Sequence, residues 1–174
     1  MSTLTLRPWC ETDGAIGDVD LRGVKSPDTY TYICEEGGKP VGVAMGRAEP
    51  PAQSAKATAP RTCYEDYTCS LLPNRWDILL ALIERQAQNG VETGHTYAVA
   101  KIPTAANCTN AGTTATVTGQ LTTRVGLTWQ DEGKIVATNK VAVRRTAPIL
   151  LSDLLPRLNS ALNALGCVRV RKDA

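Results

Sequence analysis

A chain of 174 residues with 43% hydrophobic content is long enough and apolar enough to bury a core as one domain, so disorder is excluded as its default state. Three Trp, five Tyr and no Phe leave that core to Val, Ile, Leu and Ala, a composition that suits thin layers or broad subunit contacts. The net charge of +2 hides an asymmetry: residues 120–174 carry nine Lys/Arg against four Asp/Glu, a local excess of five, which allows a polyanionic partner as well as a plain solvated face.

The opening "MSTLTLRPWCETDG" has no basic start followed by an apolar run, and no stretch approaches the roughly 18 apolar residues that span a bilayer. A soluble chain with no membrane partner is expected. Period-two alternation predicts strands at 3–7, 16–23, 29–34 and 41–45, the last two joined by "EEGGKP", a Gly-Gly hairpin turn. The Ala, Pro and Ser stretch at 48–60 predicts a loop or an arm. "NRWDILLALIERQAQNG", 74–90, predicts a helix: Asn74 as cap, Asp77 near the positive end of the dipole, an apolar face at Ile78, Leu79, Leu82 and Ile83, and Gly90 as stop.

Strands are expected again at 95–103 and 115–129, where Leu121, Val125, Leu127 and Trp129 alternate with Thr122, Arg124 and Thr128, and "QDEGK" reads as a turn. The segment 134–146 fits either a strand or the start of a helix. The closing "PILLSDLLPRLNSALNALG" places Leu151, Leu155, Leu158, Leu162 and Leu165 on one helical stripe. Pro156 falls inside it, so two helical pieces are expected.

Motifs for catalysis are sparse. His95 is the single histidine, no nucleophile elbow, Walker loop or dinucleotide fingerprint is present, and adjacent acids such as Glu65 and Asp66 fit turns more readily than a cleft. The sequence therefore predicts no enzyme, no catalytic residue, no cofactor and no metal. Six cysteines (Cys10, Cys34, Cys63, Cys69, Cys108 and Cys167) fit either disulfides or buried free thiols, and the five-residue gap in "CYEDYTC" from Cys63 to Cys69 is long for a zinc knuckle. For nucleic acid, the candidates are Lys101, then Arg124 with the hydroxyls of Thr122 and Thr128, then the tail "RVRK" at 169–172.

The order of "LRGVKSP" at 21–27, "YAVAKIPTAANCTNAG" at 97–112, "TTRVGLTW" at 122–129 and the closing helical part resembles the coat proteins of the small single-stranded RNA bacteriophages. That resemblance implies an α+β fold over residues 1–174, with an antiparallel sheet, helices packed on one face, a C-terminal helix and an intertwined dimer. It further implies self-assembly into an icosahedral capsid within a virion, with Lys101, Thr122, Arg124 and Thr128 facing packaged single-stranded RNA. Cys63, Cys69 and Cys108 resemble loop cysteines that bridge subunits, and the leucine stripe becomes a dimer contact as well as core. Another virion subunit, such as a tail-tube or connector component, and a small enzyme of unrecognised type are the competing readings.

Overall fold

A computed structural model of the chain describes residues 1–16, 29–48, 62–72, 74–103, 124–126, 131–138, 141–146 and 149–173. The strands are β1 (Ser2–Pro8), β2 (Thr29–Glu36), β3 (Lys39–Ala48), β4 (Thr62–Ser70), β5 (Tyr97–Pro103), β6 (Asp131–Thr138), β7 (Val141–Thr146), β8 (Ile149–Leu150) and β9 (Cys167–Arg171); the helices are α1 (Trp76–Glu92) and α2 (Leu151–Ala164). One sheet runs in the order β6-β7-β5-β4-β3-β2-β1-β9, with β8 paired to β5.

The expected α+β class holds, but the sheet is mixed. β4 runs parallel to β5 and β1 runs parallel to β9, while the remaining pairs are antiparallel. Each parallel pair needs a crossover between its strands, and α1 supplies it for β4 and β5. The β2–β3 hairpin forms as its Gly-Gly turn requires: Gly37 and Gly38 take positive φ values of 58° and 77°. Further along that hairpin Tyr30 stands opposite Gly46, where a Cβ would fall 2.5 Å from the tyrosine ring, so only glycine leaves room for it.

Both helices lie on one face of the sheet. Leu4, Leu6, Tyr32, Cys34 and Ala44 meet the apolar residues of α1 and α2 in the main core, while Ile16, Ile33 and Val43 form a smaller cluster with Trp9 and Met45. Helix α1 is buried from Ile78 to Ala87, covering more than one stripe, because α2 packs on it as well as the sheet. At its start the expected cap is absent. Arg75 occupies the cap position without a side-chain bond that caps the helix, and Asn74 takes a positive φ of 57°.

Helix α2 is continuous through Pro156, against the expected break. The proline is exposed, and its ring and missing N–H fall on the solvent side, while Leu154 and Leu158 on either side stay buried. Leu151 and Leu162 are buried too, Leu155 is half-buried and Leu165 is exposed. Leu151, Leu158 and Leu162 pack within the chain's own core, with Leu155 against its edge.

Several other expectations change. Of residues 134–146, which fit either strand or helix, 134–138 and 141–146 are strand, β6 and β7 forming an antiparallel pair, and Asp131 to Lys134 belong to β6 instead of a turn. "CYEDYTC" is extended strand in β4, so Cys63 and Cys69 stand six residues apart, roughly 20 Å along it. That span exceeds by far the separation a disulfide bridges, so the two cannot pair with each other. Arg124 and Val125 form a helical turn where a strand was expected. Residues 17–23 of the second expected strand, most of the 48–60 arm, Cys108, Thr122 and Thr128 lie outside the described residues.

Candidate functional site

The most distinctive feature of the sheet is where its central parallel pair stops. β4 and β5 pair only from Thr62 beside Tyr97 to Glu65 beside Ala100. Past that point β4 continues along β3, with Ala44 beside Thr68 and Val43 beside Cys69, while Lys101 to Pro103 of β5 pair with β7 on the far side. Among the described residues the ladder between the C-terminal halves of β4 and β5 is therefore open, which leaves main-chain N–H and C=O groups on the facing strand edges without a ladder partner. Such groups need partners, and an extended chain inserted between them would supply these. Openings at the carboxyl ends of parallel strands are where α/β sheets bind ligands.

The rim of this opening is apolar on one side. Leu71 and Leu72, directly after β4, each expose more than a third of their surface, and the Leu71 N–H still donates to the Val41 carbonyl at 2.9 Å. Helix α1 then begins, its positive dipole end on the same edge. That end is occupied by the chain itself. The Arg75 guanidinium donates to both Glu36 oxygens at 2.9 and 3.0 Å and to both Asp77 oxygens at 2.8 and 2.9 Å, and Ser2 Oγ donates to Asp77 at 2.8 Å. Arg75 holds the Asp77 and Glu36 carboxyls below the ordinary range.

Two carboxylates already hold the Arg75 guanidinium at this helix end, and "SLLPNRW" contains no glycine to bring backbone N–H groups close to a phosphate. The described residues thus do not form a phosphate cradle at the start of α1. Two further cations stand nearby: the Arg124 guanidinium lies 5.8 Å from the centre of the Trp76 ring, and Arg157 of α2 donates to the Gly126 carbonyl at 3.1 Å.

His95 lies at the opposite end of α1. It is buried, its Nδ1 is 2.8 Å from Thr93 Oγ1 and 3.2 Å from the Gly90 carbonyl, and its own N–H donates to Gly90 at 2.8 Å, so it closes the helix C-terminus. Among the described residues no group of three His, Cys, Asp or Glu could hold a metal, and no helix is long and apolar enough to cross a membrane. Cys34 and Cys167 are buried free thiols; burial pushes Cys34 up to about 12 and raises Cys167 as well.

Of the residues expected to face RNA, Thr122 and Thr128 lie outside the described residues. Lys101 stands in β5 beside Arg145, and Arg124 belongs to a helical turn at 124–125 with its guanidinium over the Trp76 ring. The tail arginines are strand β9: Arg169 is paired with Glu84 and Arg171 with Glu92 and Asp173. Sequence reasoning passed over Glu84 and Arg85, whose signal was a charged pair inside the apolar run "ILLALIERQA".

No protein-family model matches the sequence, and no curated protein is similar to it. Solved structures do share its fold. The CoA-dependent acyl-homoserine lactone synthase BjaI, solved with SAM and isopentyl-CoA, superposes with a TM-score of 0.56 at 11% identity, over 89% of this chain and 72% of its own. A second such synthase, MesI, gives 0.53 at 11% identity over 90% and 81%, and FeeM, an N-acyl amino acid synthase from uncultured soil microbes, gives 0.50 at 12% over 84% and 86%.

The fold is thus that of these synthases, and the coat-protein resemblance does not survive the comparison. Its segments lie in a different topology, with β5 beside a parallel β4 and a helical turn at 124–125, and the leucine helix is covered from within the chain. The capsid role, the RNA and shell partners, the virion location and the expectation of a non-enzyme fall with it.

Proposed function

We propose that the chain is an acyltransferase that moves an acyl group from a thioester onto an amine. The observation that carries this reading is the opening between β4 and β5, in a fold shared with three synthases whose names specify acyl products. The pantetheine arm of an acyl thioester is a narrow, extended chain with two amides. Laid between the parted strands, it would pair with their open main-chain groups as an added strand does. Leu71 and Leu72 on the rim offer apolar surface to an acyl chain.

Chemically the step is simple. The amine nitrogen attacks the thioester carbonyl, the C–N bond forms, the C–S bond breaks, and the proton lost by nitrogen leaves with the sulfur as thiol. Positioning the two reactants supplies much of the rate in such a transfer. Because Glu36 and Asp77 occupy the start of α1, donor recognition rests on the pantetheine arm and acyl chain more than on phosphates at that helix end.

Acyl-CoAs of increasing chain length and the matching N-acetylcysteamine thioesters, offered with SAM and with free amino acids, test the proposal. Thiol release is followed by a chromogenic disulfide and acylated product by mass spectrometry. Amine-dependent thiol release is expected, with the phosphate-free thioesters keeping most of the activity. Release no faster than hydrolysis across the whole panel, with no binding of CoA by calorimetry, would overturn it.

A further inference from the structure

A second site lies on the helix side of the sheet, in a cavity of about 230 Å³ between α1, α2 and β9. Three guanidiniums converge there, from Arg85, Arg169 and Arg171. Two are committed. Arg169 donates to both oxygens of Glu84 at 3.0 and 3.3 Å, and to Asn159 and Asn163 at 2.7 and 3.0 Å. Arg171 forks onto Glu92 and gives its Nε–H to Asp173 at 2.7 Å.

Arg85 is different. Its side chain is 5% exposed, its Cζ lies 4.3 Å from the centre of the Tyr32 ring, and its Nε and Nη1 have no hydrogen-bond partner. Its single bond runs from Nη2 to Asp173 at 3.2 Å, and that carboxylate is 61% exposed and already shared with Arg171. A buried cation with idle donors is unfavourable unless an acceptor completes it. Gln88 adds an amide to the wall, and Leu6 and Ala81 add apolar surface.

We propose that this cavity binds a small oxyanion, the carboxylate or phosphate group of a metabolite, through the idle donors of Arg85, with Asp173 as an internal competitor for the same guanidinium. The site stands apart from the opening at β4 and β5, since Arg85 lies nine residues, roughly 14 Å, along α1 from Trp76. It does not depend on the acyl-transfer reading. The apolar wall and the small volume favour a compact ligand carrying a short carbon skeleton.

The full chain is titrated separately with succinate and with inorganic phosphate, by calorimetry and by thermal unfolding, against chloride at matched ionic strength. One of the two oxyanions should bind and raise Tm where chloride does not, and the stronger of the two identifies the head group. Asp173→Asn, at an exposed position, should tighten binding about two- to five-fold, the range an exposed carboxylate is worth. Arg85→Met, close to Arg85 in volume, should abolish the oxyanion-specific signal. The proposal is overturned if neither the unaltered chain nor Asp173→Asn distinguishes succinate or phosphate from chloride, or if Arg85→Met binds as the unaltered chain does. Should Arg85→Met fail to fold, the Asp173→Asn titration decides alone.

Discussion

Replacing Leu158 by alanine tests whether the leucine stripe of α2 is core within the chain. Leu158 is fully buried, in contact with a cluster that includes Leu4, Leu6, Leu80 and Ile83. The change removes three carbons, worth roughly 2.4 kcal/mol at about 0.8 kcal/mol each. A residual void of about 60 Å³ would add roughly 1.5 kcal/mol at ~24 cal/mol per Å³, since α1 and the sheet enclose the site and relax only in part. The expected loss is about 4 kcal/mol, a fall in Tm of about 8 to 16 °C for a chain of this length. Leu165, on the same stripe but 36% exposed, should lose under about 0.5 kcal/mol on the same substitution. Urea denaturation followed by circular dichroism measures both, and size-exclusion chromatography should show each variant in the same oligomeric state as the unaltered chain. A Leu158→Ala protein that loses less than about 1 kcal/mol, or that stays folded but changes oligomeric state, would refute the assignment of this stripe to the internal core.

The other predictions concern charge and thiols. Arg7 binds both oxygens of Asp13 at 2.6 and 2.8 Å and Glu35 at 2.9 Å, so Arg7→Met should cost about 2 kcal/mol at neutral pH by stranding two largely buried carboxylates. Arg7 holds the Asp13 carboxyl far below its ordinary 3.8; a depressed folded-state value means that this stability is present above about pH 4 and lost as pH falls further, so the gap between the two proteins should shrink in acid. Denaturation midpoints from pH 7 downward check this, and a gap that widens below pH 4 would contradict it. Iodoacetamide at mildly alkaline pH should label exposed Cys10 rapidly and leave Cys34 and Cys167 unmodified until the chain is unfolded, because burial disfavours their thiolates. Peptide mass spectrometry reads the order, and early labelling of Cys34 would show that the sheet opens beneath α1.

Local periodicity made several elements legible in the amino-acid sequence. Gly37-Gly38 between two period-two runs specifies the β2–β3 hairpin, because positive φ at both positions is what its tight turn demands. The 3.6-residue spacing of Ile78, Leu79, Leu82 and Ile83, and of Leu151, Leu158 and Leu162, specifies two helices and the faces they bury. What covers those faces is not a local property. A leucine stripe packed on α1 of the same chain and one packed on a second subunit have the same spacing, so the stripe alone could not separate a core from a dimer contact. Strand direction is equally silent: "HTYAVAKIP" alternates the same way beside a parallel or an antiparallel neighbour, and only the crossover through α1 sets β5 parallel to β4 and lets them part after Ala100. The pairing of Ser2 with Cys167 joins the two ends of the chain and brings the arginines of β9 over α1, where Arg169 finds Glu84. In the sequence those arginines read as a charged tail and Arg85 as one polar residue in an apolar helix. Tertiary packing buries Arg85 against Tyr32 with donors to spare, because burial and electrostatic partnership depend on contacts between residues distant in the chain.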